Sequence, residues 1–188
     1  MTIPPLGNLE RHPHIKEWLH SAPIAVPYFD GLELPFVLRG VAGDAIPSDF
    51  ESALSAFFRL GPAERKQAGH HVFQLYRKFV DAVAADEFDF SIPTASAVWD
   101  FVTPTEIHIS RRHRRDELVY VEILAECRWE VEHGLVVIYR NGSTLSRVSE
   151  QDGHLTTSDA FDFQRREMRQ SMRANECART LFAGFENA

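Results

Sequence analysis

Between Trp99 and Leu155 the chain alternates apolar-rich runs with turn signals, the pattern of antiparallel strands joined by short connections. The runs cover residues 105–111, 118–130, 135–140 and 144–150, separated by 112–116, 131–134 and the pair Asn141-Gly142. In the second run Val119, Val121, Ile123, Ala125, Cys127 and Trp129 face one way, and Glu122, Glu126, Arg128 and Glu130 the other. Asn-Gly is the strongest short hairpin signal, because both central residues of a type I′ turn need positive φ. Pairing Arg140 with Ser143 across it brings His133 opposite Glu150. Folding the first hairpin about 112–116 puts Ile107 and Ile109 on the face of Val119 and Val121. Glu106, His108 and Ser110 then point to the opposite face.

The other segments are expected to cover this meander. Pro4, Pro5, Pro13 and Pro23, interspersed with His12, His14 and His20, predict a loose arm over residues 1–22 with at most a short helix around 15–20. A single domain over 23–188 follows. Residues 24–29 and 32–38 flank Asp30-Gly31 and read as a β-hairpin, which Pro27 and Pro35 confine to an edge or a bulge because proline donates no amide hydrogen. Ser48 and Glu51 form a capping box ahead of Phe50, Ala53, Leu54, Phe57 and Phe58 at helical spacing. Gly61 ends that helix and Pro62 opens a second, striped by Val72, Leu75, Tyr76, Phe79, Val80 and Val83. Residues 86–96, with Phe88 and Phe90 among acidic residues, cross from helix to meander. Ser158 caps a C-terminal helix carrying Phe161, Met168, Met172, Leu181 and Phe182. The expected class is α+β: an N-terminal hairpin, two helices, a four-stranded antiparallel meander and a C-terminal helix, with one sheet face buried by helices.

Composition narrows the function classes. At 188 residues and 44% apolar content the chain can bury one core. A net charge of -7 argues against a nucleic-acid partner and suits a basic protein partner. Residues 1–10 lack a basic region followed by an apolar run, and no apolar stretch reaches the ~20 residues that span a bilayer, so a cytoplasmic location is expected. Cys127 and Cys177 show no metal or redox spacing, and a thiol mid-strand on the apolar face would have a raised pKa, which speaks against a nucleophile. Neither His12-Pro13-His14 nor His70-His71 aims two imidazoles at one ion. The cluster Arg111-Arg112-His113-Arg114-Arg115 reads as a solvated hairpin tip. In residues 158–188 five arginines are offset by five acidic residues, leaving that helix free to cover a sheet face or to join a homodimer.

Candidate chemistry gathers at one end of the meander. Glu130, Glu132 and His133 lie in one turn and Asp152 and His154 in the segment after the last strand, with Trp129 alongside. Carboxylates and imidazoles so arranged could hold a divalent metal ion that polarises a bound water, with Glu132, His133, Asp152 and His154 as ligands. They could equally be a structural tie, in which carboxylates accept turn amides. Phosphate-binding loops, dinucleotide glycine fingerprints, nucleophile elbows and His-Glu-x-x-His helices are missing from the sequence.

The motifs Trp129-Glu130-Val131-Glu132-His133-Gly134-Leu135 and Asp152-Gly153-His154-Leu155 follow the proline-containing Asp-Gly hairpin and the two-helix insert. Together they resemble a family of uncharacterised bacterial domains, some of them found among immunity proteins of toxin systems. The resemblance covers residues 23–159. It implies a one-domain α+β protein and brings no catalytic residues with it. The leading expectation is a non-enzymatic, cytoplasmic protein-binding module without a cofactor, in its narrower form an immunity protein that neutralises a basic toxin. The alternative is a metal-binding domain or metal-dependent hydrolase centred on the Glu132, His133, Asp152 and His154 corner.

Overall fold

A computed structural model of the chain describes residues 1–83, 89–113, 115–163 and 165. In chain order these form β1 (Thr2–Ile3), β2 (Gly7–Asn8), β3 (Glu10–Arg11), β4 (Trp18–His20), β5 (Ile24–Val26), β6 (Leu32–Leu34), β7 (Phe36–Arg39), α1 (Ser48–Phe57), α2 (Pro62–Ala82), β8 (Val102–Arg111), β9 (Val119–Cys127), β10 (Glu130–Arg140) and β11 (Thr144–Ser149). These elements belong to a unit spanning Met1–Leu155; a second unit begins at Thr156, and its residues 157–163 are helical. The later part of the expected C-terminal helix and its dimer contact lie outside the described residues, as do Phe88 and Arg114.

The expected α+β class holds. β8 to β11 form the four-stranded antiparallel meander, and they continue into a seven-stranded sheet of order β11-β10-β9-β8-β7-β4-β3. Ile107 pairs with Ile123 and Ile109 with Val121, which gives the face assignment expected for the first hairpin. That face buries Phe36, Leu38, Ile107, Ile109, Val121, Ile123 and Val137 together with Phe50, Leu54 and Phe57 of α1 and Ala68, Val72 and Tyr76 of α2. Area removed from water in such a cluster is the main favourable term of folding, at about 25 cal/mol per Å².

Residues 1–22 are not a loose arm. β4 pairs antiparallel with β7, matching Leu19 with Leu38, and β3 pairs with β4 outside it. The reason is a period of two in Trp18-Leu19-His20: Leu19 is buried in the core while its neighbours face the other side. Ile3, Leu6 and Leu9 are buried as well, which ties the prolines of this segment to the body.

The N-terminal hairpin is present but shorter than expected. β5 and β6 pair Ile24 with Leu34 and Val26 with Leu32, and Pro27 opens a short 3-10 turn, Pro27–Phe29, where its missing N–H is not needed. Asp30 and Gly31 take φ of 55° and 90°. Pro35 then divides the predicted second strand. Beyond it, β7 leaves the hairpin and runs parallel to β8, with the Ile107 N–H donating to Pro35 O at 3.0 Å.

Two local expectations shift. Ser48 opens α1 without a side-chain cap; the carboxylate that caps a helix is Glu64, which accepts the Gly61 N–H at 2.8 Å ahead of α2. At Asn141-Gly142 both residues have positive φ, 50° and 72°, and Ser143 N–H donates to Arg140 O at 3.3 Å, as a type I′ turn requires. The strands nevertheless pair Arg140 with Thr144, and a register shift between Ile138 and Tyr139 sets Ile138 against Arg147. His133 therefore does not meet Glu150; its carbonyl accepts the Gln151 N–H at 3.2 Å instead.

Candidate functional site

The expected polar corner resolves into separate ties. Trp129 turns into the core, 3% exposed, with its ring 5.7 Å from that of Tyr76 on α2. The next residue, Glu130, folds its carboxylate back under the turn: Oε1 accepts the N–H groups of Glu132 at 2.9 Å and His133 at 3.1 Å and lies 3.5 Å from His133 Nδ1. Glu132 and His133 themselves are exposed.

Asp152 is engaged elsewhere. It receives Arg147 in a two-pronged pair, Nη1 to Oδ1 at 2.6 Å and Nη2 to Oδ2 at 2.5 Å, and its Oδ1 also accepts the His154 N–H at 3.0 Å. Arg147 closes the loop by donating to His154 O at 2.6 Å. Burial pushes the Asp152 pKa up, but the Arg147 guanidinium and the His154 amide outweigh it and leave it below the usual carboxylate value. The two turns touch through Gln151, whose backbone N–H reaches His133 O. Among the described residues no three His, Cys, Asp or Glu side chains are grouped so as to hold a metal ion.

The basic tip is likewise partly internal. Arg111 is 7% exposed and forks onto Asp44, Nε to Oδ2 at 2.7 Å and Nη2 to Oδ1 at 2.9 Å, while Nη2 also lies 2.9 Å from Asp49 Oδ2. It clamps the loop before α1 to the end of β8. Arg112 pairs with Asp116 at 2.9 Å. Cys127 is buried, donates its thiol to Glu130 O at 3.4 Å, and is pushed up to about 11 by desolvation, in line with the expectation from its strand position.

The second sheet face carries a polar network that crosses β4, β7, β8 and β9. Arg39 pairs with Glu122, which is 4% exposed, and Ser110 Oγ donates to Glu122 Oε1 at 3.3 Å. His108 Nε2 lies 2.9 Å from Glu106 Oε1, and the Trp18 ring lies beside both His108 and Arg39, 5.7 Å from the His108 ring and 5.7 Å from Arg39 Cζ. Glu122 has Arg39 and Glu106 has the His108 ring beside it, which ties the strands together, while Arg39 Nε and His108 Nε2 are buried without a hydrogen-bond partner among the described residues. The alternation along β8 and β9 showed Glu106, His108, Ser110 and Glu122 on one face; Arg39 joins them because β7 runs parallel to β8, and Trp18 because the expected arm is a strand on β7.

Beside the Trp129 turn lies a cavity of about 240 Å³ whose lining includes Asp100, Phe101, Thr103, Glu126, Arg128 and Val131. The β8–β9 register forms it. Thr103 pairs with Glu126 and Arg128 N–H donates to Phe101 O at 3.1 Å, so the end of the 3-10 segment Ala95–Phe101 is held against the end of β9. Val131 stands 85% exposed on its lip. Arg128 lies with Cζ 4.4 Å over the Phe90 ring and 5.6 Å over Phe101, and its charge is offset by Asp89 at 3.5 Å. Asp100 and Glu126 are exposed, and their carboxylates make no hydrogen bond or ion pair among the described residues. Of these residues none was singled out as a site by sequence. A usable signal was present: Val131 is an apolar residue between two glutamates at a turn.

A family model described as Domain of unknown function (DUF6985) matches residues 5–155, a span that ends where the first unit ends. No curated protein and no solved structure matches the chain.

Proposed function

We propose that this chain, which belongs to the DUF6985 family of domains of unknown function, is a non-enzymatic protein-binding module that engages a basic partner. The observation behind this reading is the cavity between Asp100 and Glu126. Two exposed carboxylates without partners among the described residues flank an apolar lip at Val131. Val131 adds one exposed apolar side chain beside the two carboxylates. The net charge of -7 favours encounter with a positively charged surface.

The narrower reading is an immunity protein in the bacterial cytoplasm that masks the basic surface of a toxin. It rests on the resemblance of the Trp129 to Leu135 and Asp152 to Leu155 motifs, and on a free, buried Cys127 that suits a reducing compartment.

The test uses the full chain as bait in extract of its own cells, beside the double variant Asp100→Lys/Glu126→Lys. Both residues are exposed, so the fold should persist. The expected result is a basic protein retained by the wild type at physiological salt, lost from the variant, and bound again when purified and mixed. Equal retention by both baits would remove this surface from consideration.

A further inference from the structure

We propose that the β3–β4 hairpin is a proton-sensitive strap: His12 holds it shut while its Nδ1 carries no proton, and acidification releases it from the edge of β7. The loop between the two strands, residues 13–17, is closed from backbone and ring together. In the backbone, His12 N–H donates to Trp18 O at 2.8 Å and Trp18 N–H to Ile15 O at 3.0 Å. On the ring, His12 Nδ1 accepts the N–H groups of His14 at 3.3 Å and Ile15 at 3.2 Å. Only an unprotonated nitrogen accepts, so a proton on Nδ1 removes both bonds at once and sets a donor against two donors. Imidazole ordinarily changes charge between about pH 5 and 8, which brings the event within reach of mild acidification.

The surroundings of His12 act in the same sense. Its ring meets those of His14 in the same loop and His20 on β4 at centroid distances of 6.0 and 6.2 Å, and that of Trp18 at 5.7 Å. Through Trp18 it joins His108 of β8 and Arg39 of β7. Acid therefore gathers imidazolium charge around a guanidinium. Of the carboxylates on this face, Glu122 is taken by Arg39. The His108 ring, and His12 and Arg39 less closely, hold the Glu106 carboxyl below its usual value against the effect of burial, so Glu106 stays ionised throughout. It attracts the added protons but restores no acceptor to the loop. Glu10, Arg11, Lys16 and Glu17 are exposed, where solvent screens them. Arg39 Nε and His108 Nε2 are buried without a hydrogen-bond partner among the described residues, so the contact beneath Trp18 is not fully satisfied even when shut. The closed strap is thus favoured at neutral pH and loses support as pH falls. Its release uncovers Leu19 and opens the Phe36–Arg39 edge on which β4 pairs.

The experiment follows ring nitrogens and backbone amides of the isotopically labelled full chain by NMR from about pH 7.5 to about pH 5.5, the range in which imidazoles titrate. At the upper end the His12 ring is expected in the tautomer with its proton on Nε2, and a proton on Nδ1 there would overturn the proposal outright. At the lower end, hydrogen exchange is corrected for its intrinsic pH dependence and read at the His12 and Ser21 amides, which donate to Trp18 O and Phe36 O. Both should open roughly tenfold more often, the factor that two modest hydrogen bonds are worth. The Asn141 amide, which donates to Val119 O in the meander, should keep its protection. Unchanged protection at His12 and Ser21, or an equal loss at Asn141, would overturn the strap, the second by making the change global. His12→Asn keeps a side-chain acceptor for the amides two and three residues on and takes up no proton. Its strap should stay shut across the whole range. Opening in this variant as in the wild type would assign the effect to the other imidazoles and remove His12 from the device.

Discussion

Gly142 is the position at which the meander is locked to α1, and replacing it by alanine separates two costs. Its φ is +72°, and a Cβ built there would lie 1.8 Å from Ala53 O, 2.7 Å from Ala53 C and 3.1 Å from Phe57 N. Gly40 provides the control: φ is +78° and nothing lies within 4 Å of its Cβ position. Alanine at Gly40 therefore meets only the left-handed backbone penalty, about 1–2 kcal/mol. At Gly142 the same penalty applies, and the turn must also retreat from α1. Ordinary contact begins near 3.4 Å, so the 1.8 Å approach calls for a retreat of about 1.6 Å, by subtraction. That movement would lengthen the Asn141 N–H to Val119 O hydrogen bond, now 2.7 Å. Loss of that bond together with packing under α1 brings the expected total to about 3–5 kcal/mol, a large share of the ~5–15 kcal/mol that domains have. For a chain of this size the midpoint should fall by about 6–20 °C, against about 2–8 °C for Gly40→Ala. Urea and thermal unfolding followed by tryptophan fluorescence and circular dichroism measure both. Equal losses in the two variants would refute the reasoning, because they would mean that the turn lifts from α1 at no cost.

Tyr28 and Tyr139 share a hydrogen bond of 3.1 Å between buried hydroxyls, so Tyr28→Phe should cost about 1–2 kcal/mol in urea unfolding while the double phenylalanine variant costs less than the sum of the singles. Additive losses would show that neither hydroxyl depends on the other. Burial lifts the Cys127 thiol to about 11, and a thiolate fraction set by that value predicts alkylation at pH 8 roughly 240-fold slower than for an ordinary cysteine of pKa ~8.5, read by peptide mass mapping. Labelling of native protein at the free-cysteine rate would contradict it. The Arg111 guanidinium holds the Asp44 carboxyl below its usual value. A depressed folded pKa gives stability that is present above the unfolded value, near ~4, and is lost as pH falls through the folded one. Asp44→Asn should therefore lower stability by about 1.5–3 kcal/mol at neutral pH and flatten the fall in stability below pH ~4. An acid limb unchanged in the variant would assign that fall to other carboxylates.

What could be read from sequence divides by the range of the interaction that decides each feature. The meander was legible because alternation at Val119 to Trp129 and the Asn141-Gly142 turn are local signals, and local signals fix strand, face and turn type. Register was not: the turn formed with the expected dihedrals, yet pairing moved to Arg140 with Thr144 and slipped again between Ile138 and Tyr139, an irregularity that the alternation of apolar and polar residues does not announce. The N-terminal strands escaped for the same reason. Trp18-Leu19-His20 is too short to announce a strand, and only the parallel neighbour pair of β7 and β8 gives it an edge on which to dock. The candidate site repeats the pattern. The carboxylates conspicuous in the sequence, Glu130 and Asp152, were drawn inward by the nearest amides and by Arg147, since a partly buried carboxylate gains most from donors that cost little chain entropy to reach. Asp100 and Glu126, two of the carboxylates without a partner among the described residues, come from segments 26 residues apart by number and line one cavity only because the sheet brings the end of the 3-10 segment against the end of β9. Within the tight motifs Glu130 and Asp152 have donors at hand while Glu132 stays exposed, so a motif tells which carboxylates can be satisfied locally, and only tertiary pairing tells which exposed ones come to line one cavity.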